Sequence, residues 1–122
     1  PVTRGAGTRV ELRCPDPAAN PYLVLAVCLE AGLDGIRNQI TPPDAVTENV
    51  FEMQLQQRAK LGIESLPGDL EQAVEELEKD DYIKNVLGEH ITEKYLEAKK
   101  AEWADYRAQV TEWEIEKYLY KI

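Results

Sequence analysis

The sequence is poor in the residues that build disulfide frameworks and zinc sites. Its 122 residues include two cysteines, Cys14 and Cys28, and a single histidine, His90. A structural zinc site takes four Cys or His ligands, and a disulfide framework needs several pairs of cysteines. Neither can be assembled here, so we expect both cysteines to be reduced and to have a structural role. His90 lies where a helix is predicted to start and is far in sequence from Glu11, so we expect it not to be a metal ligand.

Long apolar runs and an excess of positive charge are also lacking. No apolar run approaches the roughly 18 residues that span a bilayer, and the first residues lack the basic-then-apolar pattern of a signal peptide. The formal net charge is −9, from 14 basic and 23 acidic residues. Because nucleic acids attract basic surfaces, we expect a cytoplasmic protein with neither a membrane nor a nucleic acid as a direct partner.

The acidic residues are unevenly distributed along a chain whose length fits one domain. As far as Arg37, four basic residues balance four acidic ones, so the whole deficit of nine lies downstream. The chain starts without methionine, and its most unusual stretch lies close to its first residue. These features predict a fragment of a larger protein, with an N-terminal part and an acidic part that differ in role.

The segment Arg9-Val10-Glu11-Leu12-Arg13 alternates charged and apolar residues. In a β-strand this period of two puts Val10 and Leu12 on one face and the three charges on the other. The prolines of Cys14-Pro15-Asp16-Pro17 would end such a strand. Because a lone strand cannot satisfy its own backbone groups, we expect it to pair with strands that this chain does not obviously contain.

Helix signals follow one another from Asn20 onwards. Asn20 is placed to cap a helix with Pro21 at its first position, and the residues to Ile36 are apolar almost all round, so we expect this helix to be buried on most sides. Further helices are predicted over 54–61, over 70–79 with Asp69 as cap, from Asp80 or Asp81 to Leu87, after Gly88, and from Thr111 to about Tyr120. The predicted fold class is mainly α, with one N-terminal strand followed by five or six helices.

The charged face of the predicted strand has two interpretations. It can be an exposed stripe of ion pairs, a common surface feature. Alternatively, Glu11 offers hard oxygen ligands to Mg²⁺ or Mn²⁺, while Arg9 and Arg13 offer planar forks to phosphate or carboxylate oxygens. The residues alone leave both interpretations open.

A longer pattern surrounds these charges. From Arg4 to Leu23 the chain has the pattern Arg-Gly-x-x-Thr-Arg-Val-Glu-Leu-Arg-x-Pro-Asp-Pro-Ala-Ala-Asn-Pro-Tyr-Leu, which closely resembles the late catalytic signature of type I glutamine synthetases. The resemblance continues through 31–36, 66–68, 87–90 and 102–103, and so covers essentially the whole chain. It implies the C-terminal portion of an α+β catalytic domain, in which residues 1–20 form an active-site strand and loop and residues 21–122 form the helical part.

The resemblance implies roles for three residues. Glu11 would be a ligand of the metal, Mg²⁺ or Mn²⁺, that bridges the phosphates of ATP. Arg13 would be catalytic, binding glutamate and the transferring phosphoryl group, and Arg9 would contact an ATP phosphate. Such enzymes make γ-glutamyl phosphate from glutamate and ATP, and ammonia then displaces the phosphate. The family's other metal ligands lie upstream, so we expect the chain alone to be inactive.

The resemblance also implies partners and regulation. The family assembles as a homododecamer, so other subunits are expected partners. Phe51 occupies the place where enterobacterial-type members carry the tyrosine that is adenylylated, and a phenyl ring has no hydroxyl to modify. Two alternatives stay open: a fragment of a related γ-glutamyl-amine ligase, and a non-catalytic assembly or interaction module.

Overall fold

All regular secondary structure in the described residues, 5–119 and 121 of the computed structural model, is helical. The chain divides into two compact units, Pro1–Leu66 and Pro67–Ile122. No described helix combines the length and apolarity that a bilayer crossing requires. The helices are α1 (Pro21–Arg37), α2 (Leu55–Lys60), α3 (Leu70–Lys79), α4 (Asp81–Leu87), α5 (Glu89–Arg107) and α6 (Glu112–Glu114), with a 3-10 turn at Val50–Glu52 and a π-helical segment at Ile115–Leu119.

The mainly helical class is confirmed, but the β-strand predicted at residues 9–13 is wrong. These residues have no regular secondary structure, and no other described residue belongs to a strand that could pair with them. Val10 is 97% exposed and Leu12 is 58% exposed, so the apolar positions of the pattern have no surface to pack on. An alternating pattern of residue types therefore does not form a β-strand by itself, because a neighbouring strand must supply the backbone hydrogen bonds.

Helix α1 begins as predicted. The Asn20 Oδ1 atom accepts hydrogen bonds from the backbone N–H groups of Tyr22 (3.0 Å) and Leu23 (3.4 Å), and Pro21 occupies the first helical position. The expectation that α1 is buried on most sides is wrong, because none of its residues is buried. Among the described residues of the first unit, Met53 alone is buried, so this unit builds no core over the helix.

The second unit is built from α3, α4 and α5, which pack against one another in all three pairs. The predicted caps are confirmed: the Asp69 Oδ1 atom accepts from Gln72 N–H (2.8 Å), and the Asp80 Oδ1 atom accepts from Ile83 N–H (3.0 Å). Gly88 joins α4 to α5 with a φ of 80°, a conformation that favours glycine. Local signals thus mark the starts of α3 and α4 and the junction between α4 and α5.

Two side chains are buried among the described residues of the second unit. Val74 of α3 is 6% exposed and is the apolar one of the two. Thr92 of α5 is also 6% exposed, and its hydroxyl donates a hydrogen bond to the Lys84 carbonyl oxygen of α4 at 3.2 Å. The second unit therefore has a small core and a polar tie between two of its helices.

The C-terminal capping box is confirmed. The Thr111 Oγ1 atom accepts from the Glu114 N–H (3.2 Å), and the Glu114 carboxylate accepts from the Thr111 N–H (2.8 Å). The helix is shorter than predicted, since α6 gives way to the π-helical segment that ends at Leu119. Tyr120, where we expected the helix to end, lies outside the described residues.

Candidate functional site

The three charges of the N-terminal segment lie together. The Arg9 Nε atom donates to the Glu11 Oε1 atom at 2.7 Å, and the Arg9 Nη2 atom also contacts this oxygen. From the other side, the Arg13 Nη2 and Nε atoms donate to the Glu11 Oε2 atom at 2.7 and 3.3 Å. Each carboxylate oxygen thus has its own guanidinium group, and we call this cluster the Arg9–Glu11–Arg13 triad.

The spacing of two explains the triad even without a β-strand. In extended backbone, residues i and i+2 point to the same side, so the three charged side chains can meet. The hydrogen bonds from Arg13, and then those from Arg9, hold the pKa of the Glu11 carboxyl below its ordinary value. Glu11 is therefore ionised at neutral pH, and the triad carries one net positive charge.

The triad is open to solvent. The side chains of Arg9 and Arg13 are 61% and 86% exposed, and that of Glu11 is 37% exposed. Exposed guanidinium groups bind phosphate or carboxylate in a planar, often bidentate geometry. The cluster can therefore accept an anionic ligand, and as an ion pair it adds little to stability because water screens it.

Local turns flank the triad on both sides. Before it, the Thr8 N–H donates to the Gly5 carbonyl oxygen (3.0 Å), and the Gly5 N–H donates to the Thr8 Oγ1 atom (2.8 Å). After it, the Asp16 Oδ1 atom accepts from the Ala18 N–H (2.7 Å), and Asn20 then starts α1. The structural role expected for Asn20 is confirmed, and a connection of only residues 14–20 ties the triad to that helix.

As a cation site the triad is incomplete. The Glu11 carboxylate is a hard oxygen donor of the kind that Mg²⁺ and Mn²⁺ prefer. Within residues 5–119 and 121, however, no group of three or more His, Cys, Asp or Glu side chains could hold a metal ion. His90 is exposed in the first turn of α5, in the other unit. The triad therefore supplies a single carboxylate, that of Glu11.

One groove in the second unit was not predicted. It has a volume of about 540 Å³ and lies beside the stacked rings of Trp103 and Tyr106, whose centroids are 5.8 Å apart. Its other wall comes from Gly68–Leu70 at the start of α3. Sequence patterns carry no signal for it, because the groove joins segments more than 30 residues apart.

Comparison with known proteins identifies the family. A family model described as "Glutamine synthetase, catalytic domain" matches residues 1–118. The chain belongs to the glutamine synthetase family. The resemblance seen in the pattern from Arg4 to Leu23 is thereby confirmed.

Glutamine synthetases from distant organisms are similar to the whole chain. That of Clostridium saccharobutylicum is 53% identical over 121 residues, which cover 99% of this chain and 27% of the relative. That of Thermotoga maritima is 53% identical over 120 residues (98% and 27%), and that of Methanosarcina mazei is 50% identical over 119 residues (98% and 27%). The chain thus spans about a quarter of the length of these relatives, and it corresponds to their C-terminal part.

Proposed function

We propose that this chain is the part of a glutamine synthetase that contributes Glu11, Arg13 and Arg9 to an active site shared with the upstream part of the enzyme. The assembled enzyme makes glutamine from glutamate, ammonia and ATP through γ-glutamyl phosphate. The observation that supports the proposal is the exposed triad, which lies inside a match to the catalytic domain that covers residues 1–118.

The two arginines of the triad suit the chemistry of phosphoryl transfer. Negative charge grows on the oxygens of the transferring group, and guanidinium groups that are already in place stabilise it. Arg13, the more exposed of the two, binds the glutamate carboxylate and the phosphoryl oxygens in our proposal. Arg9 binds an ATP phosphate from the other side of Glu11.

Glu11 has a double role in this proposal. Its contacts with both guanidinium groups orient the two forks, and its ionised carboxylate would hold Mg²⁺ or Mn²⁺. When bound, that cation neutralises charge on the phosphates of ATP. Because one carboxylate leaves most of an octahedral shell to water, we expect the chain alone to bind the cation weakly and to form no glutamine.

The remaining partners follow from the same proposal. Glutamate, ammonia and ATP are the substrates of the assembled enzyme, and further subunits complete a homododecamer-type assembly. As part of the same proposal, we place the enzyme in the cytoplasm.

A chimaera tests the proposed function. The segment of the Thermotoga maritima enzyme that matches this chain is replaced by residues 1–122, and glutamine formation is measured with ATP and Mg²⁺. We expect the chimaera to be active and the isolated chain to be inactive. Glu11→Gln should lower kcat by about 100-fold or more, whereas Glu64→Gln, at an exposed carboxylate outside the triad, should leave kcat unchanged.

A second pair of variants tests the arginine role. Arg13→Lys keeps the charge but removes the planar fork, so we expect a loss of activity in the chimaera. Arg37→Lys serves as the control, because Arg37 pairs with Glu30 on α1. A folded chimaera without activity, or equal activity of the Glu11→Gln and Glu64→Gln variants, would show that the proposed function is wrong.

A further inference from the structure

The groove beside Trp103 lies wholly within the second unit, whereas the triad belongs to the first. One of its walls is the start of α3 at Gly68–Leu70, and the other is the end of α5 from Glu102 onwards. Its volume of about 540 Å³ falls in the range of roughly 300–1,000 Å³ that ligand pockets have. The groove is therefore large enough to hold a side chain of a partner or a small molecule.

Two stacked rings form the aromatic wall of the groove. The ring centroids of Trp103 and Tyr106 are 5.8 Å apart, and their planes are inclined by 29°. Tyr106 is 67% exposed, so its ring is open to solvent. The faces of indole and phenol rings attract cations, and a planar guanidinium group can lie flat on them. The wall therefore offers two neighbouring π surfaces to a cation.

Two carboxylates that line the groove have no cationic partner among the described residues. The Asp69 carboxylate accepts from the Gln72 N–H (2.8 Å) and from the Gln72 Nε2 atom (3.1 Å), which are both neutral donors. The Asp105 carboxylate accepts one long contact, of 3.5 Å, from a side-chain amide. A third carboxylate, that of Glu102, pairs with Lys99 at 2.6 Å. The groove thus presents two uncompensated negative charges beside its aromatic wall.

The indole of Trp103 adds a hydrogen-bond donor without an acceptor. Its Nε1 atom is buried, and no described residue accepts a hydrogen bond from it. Buried polar atoms without a partner are uncommon in folded proteins, and a carbonyl oxygen is an acceptor that an indole N–H can use. An arginine residue of a polypeptide combines a planar cation with a carbonyl oxygen, so it matches the groove in both respects.

We propose that this groove binds an arginine residue of a partner polypeptide. The guanidinium group lies on the rings of Trp103 and Tyr106 and donates to the carboxylates of Asp69 and Asp105. Arginine fits better than lysine, because its cation is planar and less strongly hydrated. Residues 67–122 include 15 acidic and 8 basic residues, a net charge of −7, so the unit also attracts a basic segment over a longer range.

An NMR titration of the 122-residue chain tests the inference through its two indole N–H signals, which the Trp113→Phe variant assigns. The probe is an Ala-Arg-Ala peptide with both ends blocked. The control peptide carries citrulline, whose ureido group keeps the shape of guanidinium without its charge. We expect the arginine peptide to shift the Trp103 signal and to bind at least about tenfold more tightly than the citrulline peptide. The Trp113 signal should not move.

Variants of the chain locate the binding site. Asp105→Asn removes one carboxylate and Tyr106→Leu removes one ring, both at exposed positions, and each should weaken binding of the arginine peptide by about fivefold or more. Glu93→Gln is the matched control, because it removes the same charge from α5 at an exposed position outside the groove. It should bind the peptide as the parent chain does.

The outcomes are independent of glutamine formation, so they test the groove and not the proposed function. The expected losses in Asp105→Asn and Tyr106→Leu support the proposal. An unmoved Trp103 signal, equal binding of the arginine and citrulline peptides, or equal weakening by Glu93→Gln overturns it. So does a chain without helical circular dichroism, because α3 and α5 form the groove. A lysine peptide that binds as tightly, or agmatine, a guanidinium compound without a carbonyl, that binds more tightly, overturns the assignment to an arginine residue.

Discussion

The small core of the second unit makes Val74→Ala a quantitative test of the described packing. Val74 is 6% exposed, and the substitution removes its two buried γ-carbons, each of which stabilises the fold by about 0.8 kcal/mol. Alanine is the better helix former, which returns about 0.5 kcal/mol. The expected net loss is about 1 kcal/mol, with any cavity adding to it. For a domain of 60–100 residues this corresponds to a fall in melting temperature of about 4–8 °C.

Tryptophan fluorescence during heating or urea titration measures this loss. Both tryptophans, Trp103 and Trp113, belong to the second unit, so the signal reports the unfolding of the unit that contains Val74. Val110→Ala is the control, because Val110 is 73% exposed and its truncation should change the free energy of unfolding by less than about 0.5 kcal/mol. Equal effects of the two substitutions, or a stabilised Val74→Ala variant, would refute the packing of α3 on its neighbours.

Three further predictions concern polar contacts of the second unit. Thr92→Val keeps the side-chain volume but removes the hydrogen bond to the Lys84 carbonyl oxygen. We expect urea titration to show that the free energy of unfolding falls by about 1 kcal/mol. An unchanged urea midpoint would contradict this prediction. Asp69→Ala should lower the free energy of unfolding by about 1 kcal/mol because it removes the cap of α3, whereas Asp69→Asn should retain most of that stabilisation. Circular dichroism during thermal melting measures both variants. Equal melting temperatures would show that the Asp69 side chain does not stabilise α3. Hydrogen bonds from the Thr111 backbone N–H and then from its hydroxyl lower the pKa of Glu114 below 4.5. The capping box therefore contributes fully to stability above pH 4.5, and this contribution is lost as the pH falls through the lower pKa of the folded state. The NMR shift of the Thr111 amide should titrate at that pKa, and the same transition in the Glu114→Gln variant would refute the assignment.

Local patterns were sufficient for most helix boundaries. Asn20, Asp69, Asp80 and Thr111 cap helices where predicted, because a cap needs only a side chain that reaches a backbone N–H two or three residues away. The same locality explains the triad, since residues 9, 11 and 13 meet through their spacing alone. The pattern from Arg4 to Leu23 was likewise enough to indicate the family.

The sequence by itself therefore determined most helix starts with their caps, the charged triad and the family. The caps and the triad depend on neighbours a few residues apart. Only the tertiary structure decided whether residues 9–13 form a strand, whether α1 is buried and where the groove beside Trp103 lies. A β-ladder, a covered apolar face and a groove each need a second surface, and that surface is distant in sequence or lies outside the described residues. Among the described residues no second surface meets Arg9–Arg13 or buries a residue of α1, so the alternating pattern forms no strand and the apolar helix forms no core.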